Sequence, residues 1–154
     1  MAGVTTEGTP FHIPALIKRA QLAAKAAVDE ALRPLGLSGA QYGVLRLLGE
    51  TPDLSGAELA RQLSVTAQSM NELLAVLVAH GYIDRKPHPT NKRIVRLRPT
   101  AAGRRASAKA ATIVERVIDQ MLSGLTSDER RRLASYLERC IGALETPVAH
   151  QLPA

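Results

Sequence analysis

The stretch from Ser55 to Gly81, SGAELARQLSVTAQSMNELLAVLVAHG, constrains the fold more than any other part of the chain. Ser55 followed by Glu58 is a capping-box pattern, and Leu59, Ala60 and Leu63 then fall on one helical face. Only Ser64 and Val65 separate this short helix from Thr66, a good N-cap for a second one. The second helix carries Met70, Leu73, Leu74 and Leu77 at core spacing and ends at Gly81, a residue suited to a C-cap. Two helices joined by so short a turn read as a helix-turn-helix pair. The start of the second helix bunches Thr66, Gln68, Ser69 and Asn71 where a partner can reach them, while its later turns are apolar.

The flanking segments complete a mainly α pattern. Ile13, Leu16, Ile17, Ala20, Ala24, Ala27, Val28 and Ala31 form one stripe, which predicts a helix over about 13–32 that RPLGLS stops. Ser38 with Gln41 repeats the capping box and opens a helix with Tyr42, Leu45 and Leu48 inward, closed by the turn GETPDLS. After Gly81 the texture changes. YIDRK and RIVRL suit strands, and PHPTN between them is a loop, so the segment reads as a hairpin with an extended basic tip that Pro99 closes. Thr100 can cap a long helix with Ala106, Ala110, Ile113, Val117 and Met121 in register. Gly124 breaks it, and Thr126 with Glu129 opens a last helix that presents Leu133, Leu137, Cys140 or Ile141, and Leu144 and ends at Pro147. Aromatic residues make up 3% of the chain and Trp is absent, so the core has to be aliphatic.

The expected fold is therefore mainly α with a small β-hairpin wing. A flexible arm is expected over 1–12, a winged helix-turn-helix lobe over 38–99, helical dimerisation segments over 13–36 and 100–147, and a tail over 148–154. Ala-rich helices at both ends have little of their own to cover, and mutual burial in a symmetric homodimer is the natural solution.

A helix-turn-helix followed by a basic hairpin is an arrangement that places its second helix in the major groove and its wing along the backbone or in the minor groove. The residue types fit that use. Gln68 and Asn71 can each make two hydrogen bonds to adenine, Ser55, Thr66 and Ser69 can bond bases or phosphates, and Glu72 can accept from cytosine N4. The hairpin adds Arg85, Lys86, Lys92, Arg93 and Arg96, several of which are expected to meet phosphates. Lys86, Lys92 and above all Arg93 are the wing candidates, while Arg96 can simply face water. A net charge of +6 permits a double-stranded DNA partner without establishing one.

Other chemistry finds little support. His12, His80, His88 and His150 are scattered, no pair has metal-ligand spacing, and a single Cys140 excludes an internal disulfide or a Cys-rich cluster. Cys140 sits at a core-like position, where a buried inert thiol is expected rather than a redox sensor. No nucleophile with a base, carboxylate pair or phosphate-binding Gly loop stands out, so neither catalysis nor a cofactor is expected. The N-terminus lacks the basic start and apolar core of a signal peptide and no long apolar run follows, so a soluble cytoplasmic protein without membrane attachment is expected. The rival to a DNA reader is a winged-helix protein-interaction module that lacks specific DNA binding.

Over about residues 13–145 the chain resembles the MarR-type transcriptional regulators. The resemblance rests on LSGAQYGVLRLL, on LSGAELARQLSVTAQSMNELLAVLVAHGYIDR and on NKRIVRLRPTAAG. It implies a homodimer whose first and last helices interlock, pseudo-palindromic operators, repression of nearby genes, and release by small phenolic or otherwise amphipathic molecules. It also implies a ligand pocket between the dimerisation helices and the DNA-binding lobe, for which Phe11, His12, Tyr42 and Arg46 are the candidates. An Arg there can hold a carboxylate and an aromatic ring can pack a ring. Tyr42 as core and Arg46 as surface is the plainer reading beside it. Three departures from the family pattern stand out. The wing reads Asn91, Lys92, Arg93 where relatives commonly have Asp, any residue, Arg. Ala75 and Val76 replace a common Asp-Arg pair, and Glu72 stands where Arg is frequent.

Overall fold

The computed structural model describes residues 11–87 and 95–145. In chain order these form α1 (His12–Leu32), a 3-10 turn at Arg33–Leu35, α2 (Gly39–Glu50), α3 (Gly56–Gln62), α4 (Ala67–Ala79), β1 (Ile83–Pro87), β2 (Val95–Pro99), α5 (Ala101–Met121) and α6 (Ser127–Glu145). The mainly α architecture with one antiparallel hairpin is the one the sequence predicts. The residues fall into two compact units, one up to Val117 and one from Ile118 on. Among the described residues no helix is long and apolar enough to cross a membrane.

Local chemistry starts each helix of the lobe. Ser38 Oγ accepts from the Gln41 N–H at 3.2 Å while the Ser38 N–H donates to Gln41 Oε1 at 2.8 Å. Ser55 and Glu58 make the same reciprocal box. Each box satisfies donors that a helix start leaves without partners. The helices then turn Leu32, Val44, Leu45, Leu48, Leu59, Met70 and Leu77 into one core, which Ile83 and Leu97 of the hairpin and Ala110 of α5 complete. No aromatic residue is among the buried set, as the composition requires.

Two close approaches lock the lobe. The Gly39 N–H donates to Asp29 Oδ1 at 2.7 Å, which ties the start of α2 to the end of α1. A hydrogen bond from Lys25, then the one from Gly39, hold the Asp29 carboxyl below its ordinary value. At the base of the hairpin, Thr100 Oγ1 donates to the Gly81 carbonyl at 2.7 Å and accepts from the Gly103 N–H at 3.0 Å. A Cβ on Gly103 would lie 2.1 Å from the Tyr82 carbonyl oxygen, so only glycine lets α5 sit this close.

Three expectations change. Helix α1 begins at His12, so residues 11 and 12 belong to the helix start and not to an arm. Pro14 is tolerated because the first turn needs no N–H from it. The rest of the expected arm and the whole C-terminal tail lie outside the described residues. Pro87 ends β1 opposite Val95 instead of opening the loop, an edge position where its missing N–H costs little. Cys140 is exposed and not buried, and none of the described residues of α6 is fully buried.

Candidate nucleic-acid interface

The turn between α3 and α4 is tight because Ser64 adopts φ 52°, in the left-handed region, and the Val65 N–H reaches back to the Ala60 carbonyl at 3.0 Å. Thr66 then caps α4. Its Oγ1 accepts from the Ser69 N–H at 3.1 Å and donates to Ser69 Oγ at 3.0 Å. Met70, Leu74 and Leu77 anchor the opposite side of α4 in the core. The result is a fixed helix whose first turns present Thr66, Gln68, Ser69, Asn71 and Glu72 outward, all five exposed.

These side chains are not equally available. Gln68 Nε2 donates to Glu72 Oε1 at 3.3 Å, so the two form one unit. Thr66 and Ser69 share the cap. Asn71 has no partner among the described residues, leaving its whole amide for another molecule. Ser55 is half-buried, and its N–H and O–H both donate to Glu58 Oε2 at 2.7 Å. The Ser55 hydroxyl, then its backbone N–H, hold the Glu58 carboxyl below its ordinary value.

The hairpin register pairs Asp84 with Arg98, Arg85 with Leu97 and Lys86 with Arg96. Lys86 and Arg96 thus face each other with like charge, which disfavours the pair unless an anion intervenes. Asp53 supplies one. Its carboxylate takes both Arg98 nitrogens, Nε and Nη2, at 2.6 Å and Arg96 Nη1 at 3.4 Å. The Asp53 N–H also donates to the Leu97 carbonyl at 3.2 Å, from a backbone with φ 72°. Aspartate is among the few residues that accept that conformation readily. Arg96 is therefore half-buried and ion-paired and does not simply face water. Lys86 stays exposed with no described partner. Asp53 was missed from the sequence, where it reads as one polar residue of a turn; its partners lie more than forty residues downstream. Lys92 and Arg93 lie outside the described residues.

The pocket candidates are spread over two elements. Phe11 is exposed beside the start of α1 and His12 is its first residue. Tyr42 packs half-buried against the core. Arg46 is exposed and pairs with Glu50 at 2.7 Å. Among the described residues there is no group of His, Cys, Asp and Glu that could hold a metal ion.

A capped reading helix set on a core, followed by a basic antiparallel hairpin, defines a winged helix-turn-helix protein. Residues 35–94 match the MarR family. The HTH-type transcriptional repressor Rv2887 of Mycobacterium tuberculosis is 37% identical over 112 residues, 73% of this chain and 81% of that protein. Among solved structures, the same mycobacterial protein in complex with p-aminosalicylic acid superimposes with a TM-score of 0.70 at 33% identity, covering 83% of this chain and 97% of that one. A mutant MarR from Escherichia coli complexed with operator DNA gives a TM-score of 0.79 at 26% identity, over 90% and 99% of the two chains. The chain belongs to the MarR family of helix-turn-helix transcriptional regulators. That family is one of regulators and not of enzymes.

Proposed function

We propose that the chain is a homodimeric repressor that reads a pseudo-palindromic operator in double-stranded DNA and is released by a small aromatic ligand. The observation that carries this is the polar start of α4, exposed on a helix anchored by Met70, Leu74 and Leu77, with the Asn71 amide uncommitted. The repressor name of the mycobacterial relative, the operator DNA in the Escherichia coli complex and the p-aminosalicylic acid in the mycobacterial one support the same reading.

In this scheme Asn71 bonds a base edge and the Gln68–Glu72 unit reads a neighbouring one. Thr66 and Ser69 meet bases or phosphates at the helix start, where the dipole favours an anion. Ser55, with its N–H and O–H committed to Glu58, fixes the start of α3. Lys86 meets phosphate, and Lys92 and Arg93 extend that contact along the wing. The segments 13–36 and 100–147 supply the dimer contacts and 38–99 the DNA-binding lobe. Two reading helices then sit about 34–36 Å apart, one turn of DNA. Phe11, His12, Tyr42 and Arg46 are candidates for the effector site; Arg46 would exchange Glu50 for a ligand carboxylate. The role is regulatory rather than catalytic and is exercised in the cytoplasm.

Selection of bound sites from a random duplex pool at two salt concentrations tests the proposal. An enriched palindrome with half-sites one turn apart is expected, with affinity falling as salt rises. Asn71→Ala should then cost about 1–3 kcal/mol on that site and relax one position of it. A pool without enrichment would leave the protein-interaction module as the better reading.

A further inference from the structure

We infer that the centre of the α4 face selects one cytosine in each operator half-site through its N4 amino group, with Glu72 as the acceptor and Gln68 as the residue that positions it. The inference rests on the operator reading proposed above and names one base pair of the site. Its starting point is a charge pattern. From Ala67 to Ala79 the helix runs AQSMNELLAVLVA. In a chain of net charge +6, this helix has no Lys or Arg, and Glu72 is its one charged residue. The commonest specific contact, Arg or Lys to guanine O6 and N7, cannot be made from α4.

Position gives Glu72 its weight. Met70, Leu74 and Leu77 anchor α4 in the core. At 3.6 residues per turn, Gln68 and Glu72 lie within about 30° of the direction opposite that anchor, and Asn71 lies about 90° from it. A helix set into a groove with this anchor behind it brings Gln68 and Glu72 deepest and leaves Asn71 on a flank. Ala75, Val76 and Ala79 are exposed on the same outward side and have apolar side chains, so side-chain hydrogen bonding along this stripe ends at Glu72.

The bond within the pair fixes its polarity. Gln68 Nε2 donates to Glu72 Oε1 at 3.3 Å, and Gln68 Oε1 and Glu72 Oε2 have no partner among the described residues. The pair therefore presents an acceptor-rich edge with one negative charge. On the major-groove side guanine offers only the acceptors N7 and O6, and thymine offers O4 and a methyl group; cytosine N4 and adenine N6 are the donors. Adenine N6 has an acceptor on each side, its own N7 and the O4 of the paired thymine. Cytosine N4 has one, the guanine O6, and a C–H on the other side, so cytosine opposes the carboxylate least. On any other base Glu72 is desolvated without a partner, and it contributes selectivity by refusing those bases. Attraction to the backbone comes from the basic residues elsewhere, Lys86 among them. Gln68 holds the carboxylate before DNA arrives, which reduces the ordering cost.

One consequence is chemical. In a C·G pair one N4 hydrogen serves the pair and the other points into the groove. A methyl group on N4 replaces the second, so methylation of that amino group blocks this contact while the base pair stays intact.

The test starts with selection from a random duplex pool by the unmodified full chain. Each fixed C·G pair of the enriched site is then rebuilt in turn as T·A and as N4-methylcytosine opposite guanine. Affinities are read by fluorescence anisotropy for the unmodified chain, Glu72→Ala and Gln68→Ala. Both side chains are exposed, so the variants should fold, which circular dichroism melting checks. At one pair of each half-site the unmodified chain should prefer C·G over T·A by about ten-fold or more and lose as much on the methylated duplex. Glu72→Ala should abolish both differences. Gln68→Ala should shrink them with the salt slope unchanged, as expected of a residue that orients Glu72 and meets no phosphate. Removing a negative charge raises affinity for any duplex, so the ratio between duplexes is the readout. An equal rise on all duplexes in Glu72→Ala, with the ratios kept, would mean that the carboxylate only repels phosphate and would overturn the inference. Full affinity for every N4-methylated duplex, or an enriched site with no fixed C·G pair, would overturn it too and leave the operator reading standing. Ratios in Gln68→Ala equal to those of the parent would overturn the positioning role. A pool without enrichment would remove the operator reading and this inference with it.

Discussion

Helices α4 and α6 carry similar apolar periodicities and use them in opposite ways. In α4, Met70, Leu74 and Leu77 are buried within the chain, and the outward face is polar where it begins. In α6, Leu133, Leu137, Ile141 and Leu144 are all exposed, Leu144 by 81%. Periodicity fixes which residues share a face, but it does not say what covers that face. The lobe built around α4 is closed by its own chain. The α6 face is not, and each large apolar side chain left in water forgoes about 1.5–3 kcal/mol of burial. The two regions should therefore respond differently to mutation and to protein concentration.

The sharpest contrast is between glycines. Gly103→Ala drives a Cβ into the Tyr82 carbonyl, a main-chain atom held by Thr100. It should destabilise the lobe by about 3 kcal/mol, at the upper end of overpacking effects. Gly124, before α6, has nothing within 4 Å of the same construction, and Gly124→Ala should stay within about 1 kcal/mol of the parent. Urea unfolding of the two variants measures this. Equal effects would mean that α5 is not pinned to the hairpin base as described.

What could be read from the sequence follows the distance over which each interaction acts. The capping boxes at Ser38, Ser55 and Thr126, the Thr66 cap and the stop at Gly81 are local, and the residues themselves announce them. The exposed polar start of α4 was legible for the same reason, since Thr66, Gln68, Ser69, Asn71 and Glu72 lie within six positions of one another. The wing brace was not. Asp53 meets Arg96 and Arg98 across more than forty residues, and nothing near Asp53 signals that encounter. The sequence showed the family's wing carboxylate replaced by Asn91, but not that a carboxylate from the α2–α3 turn holds the arginines of β2. Cys140 failed for a different reason: its position on a stripe was read correctly and its cover was assumed.

The α6 face can be tested directly. Ile141 is 54% exposed in the single chain. If a second copy covers it, Ile141→Ala should weaken self-association about ten-fold or more, read by analytical ultracentrifugation over a concentration series. At any one concentration at which the parent is dimeric, the variant's melting temperature should then fall below that of the parent. A variant that sediments like the parent at every concentration would show that this part of α6 is not an interface.

The smallest effect compares one motif in both regions. Glu58 closes the capping box of α3 in the lobe, and Glu129 closes that of α6, where the Thr126 N–H and O–H donate to Glu129 Oε2 at 2.8 and 2.7 Å. Both carboxyls are held below their ordinary value of 4.5, first by the hydroxyl of the cap residue and then by its backbone N–H. A carboxyl whose value is depressed by folding contributes stability that is present above 4.5 and is lost as the pH falls through the folded value. Each box should therefore loosen in acid. Gln41 already closes the Ser38 box, with its amide oxygen 2.8 Å from the Ser38 N–H, so glutamine can keep the geometry without titrating. Glu58→Gln and Glu129→Gln should each cost little at neutral pH and narrow the gap between neutral and acid stability, measured by urea unfolding on both sides of pH 4.5. If the gap is unchanged in both, the acid sensitivity lies elsewhere, with Asp29 the next carboxylate to replace. If only Glu58→Gln narrows it, the half-buried box of the lobe is coupled to global unfolding and the exposed box of α6 opens on its own.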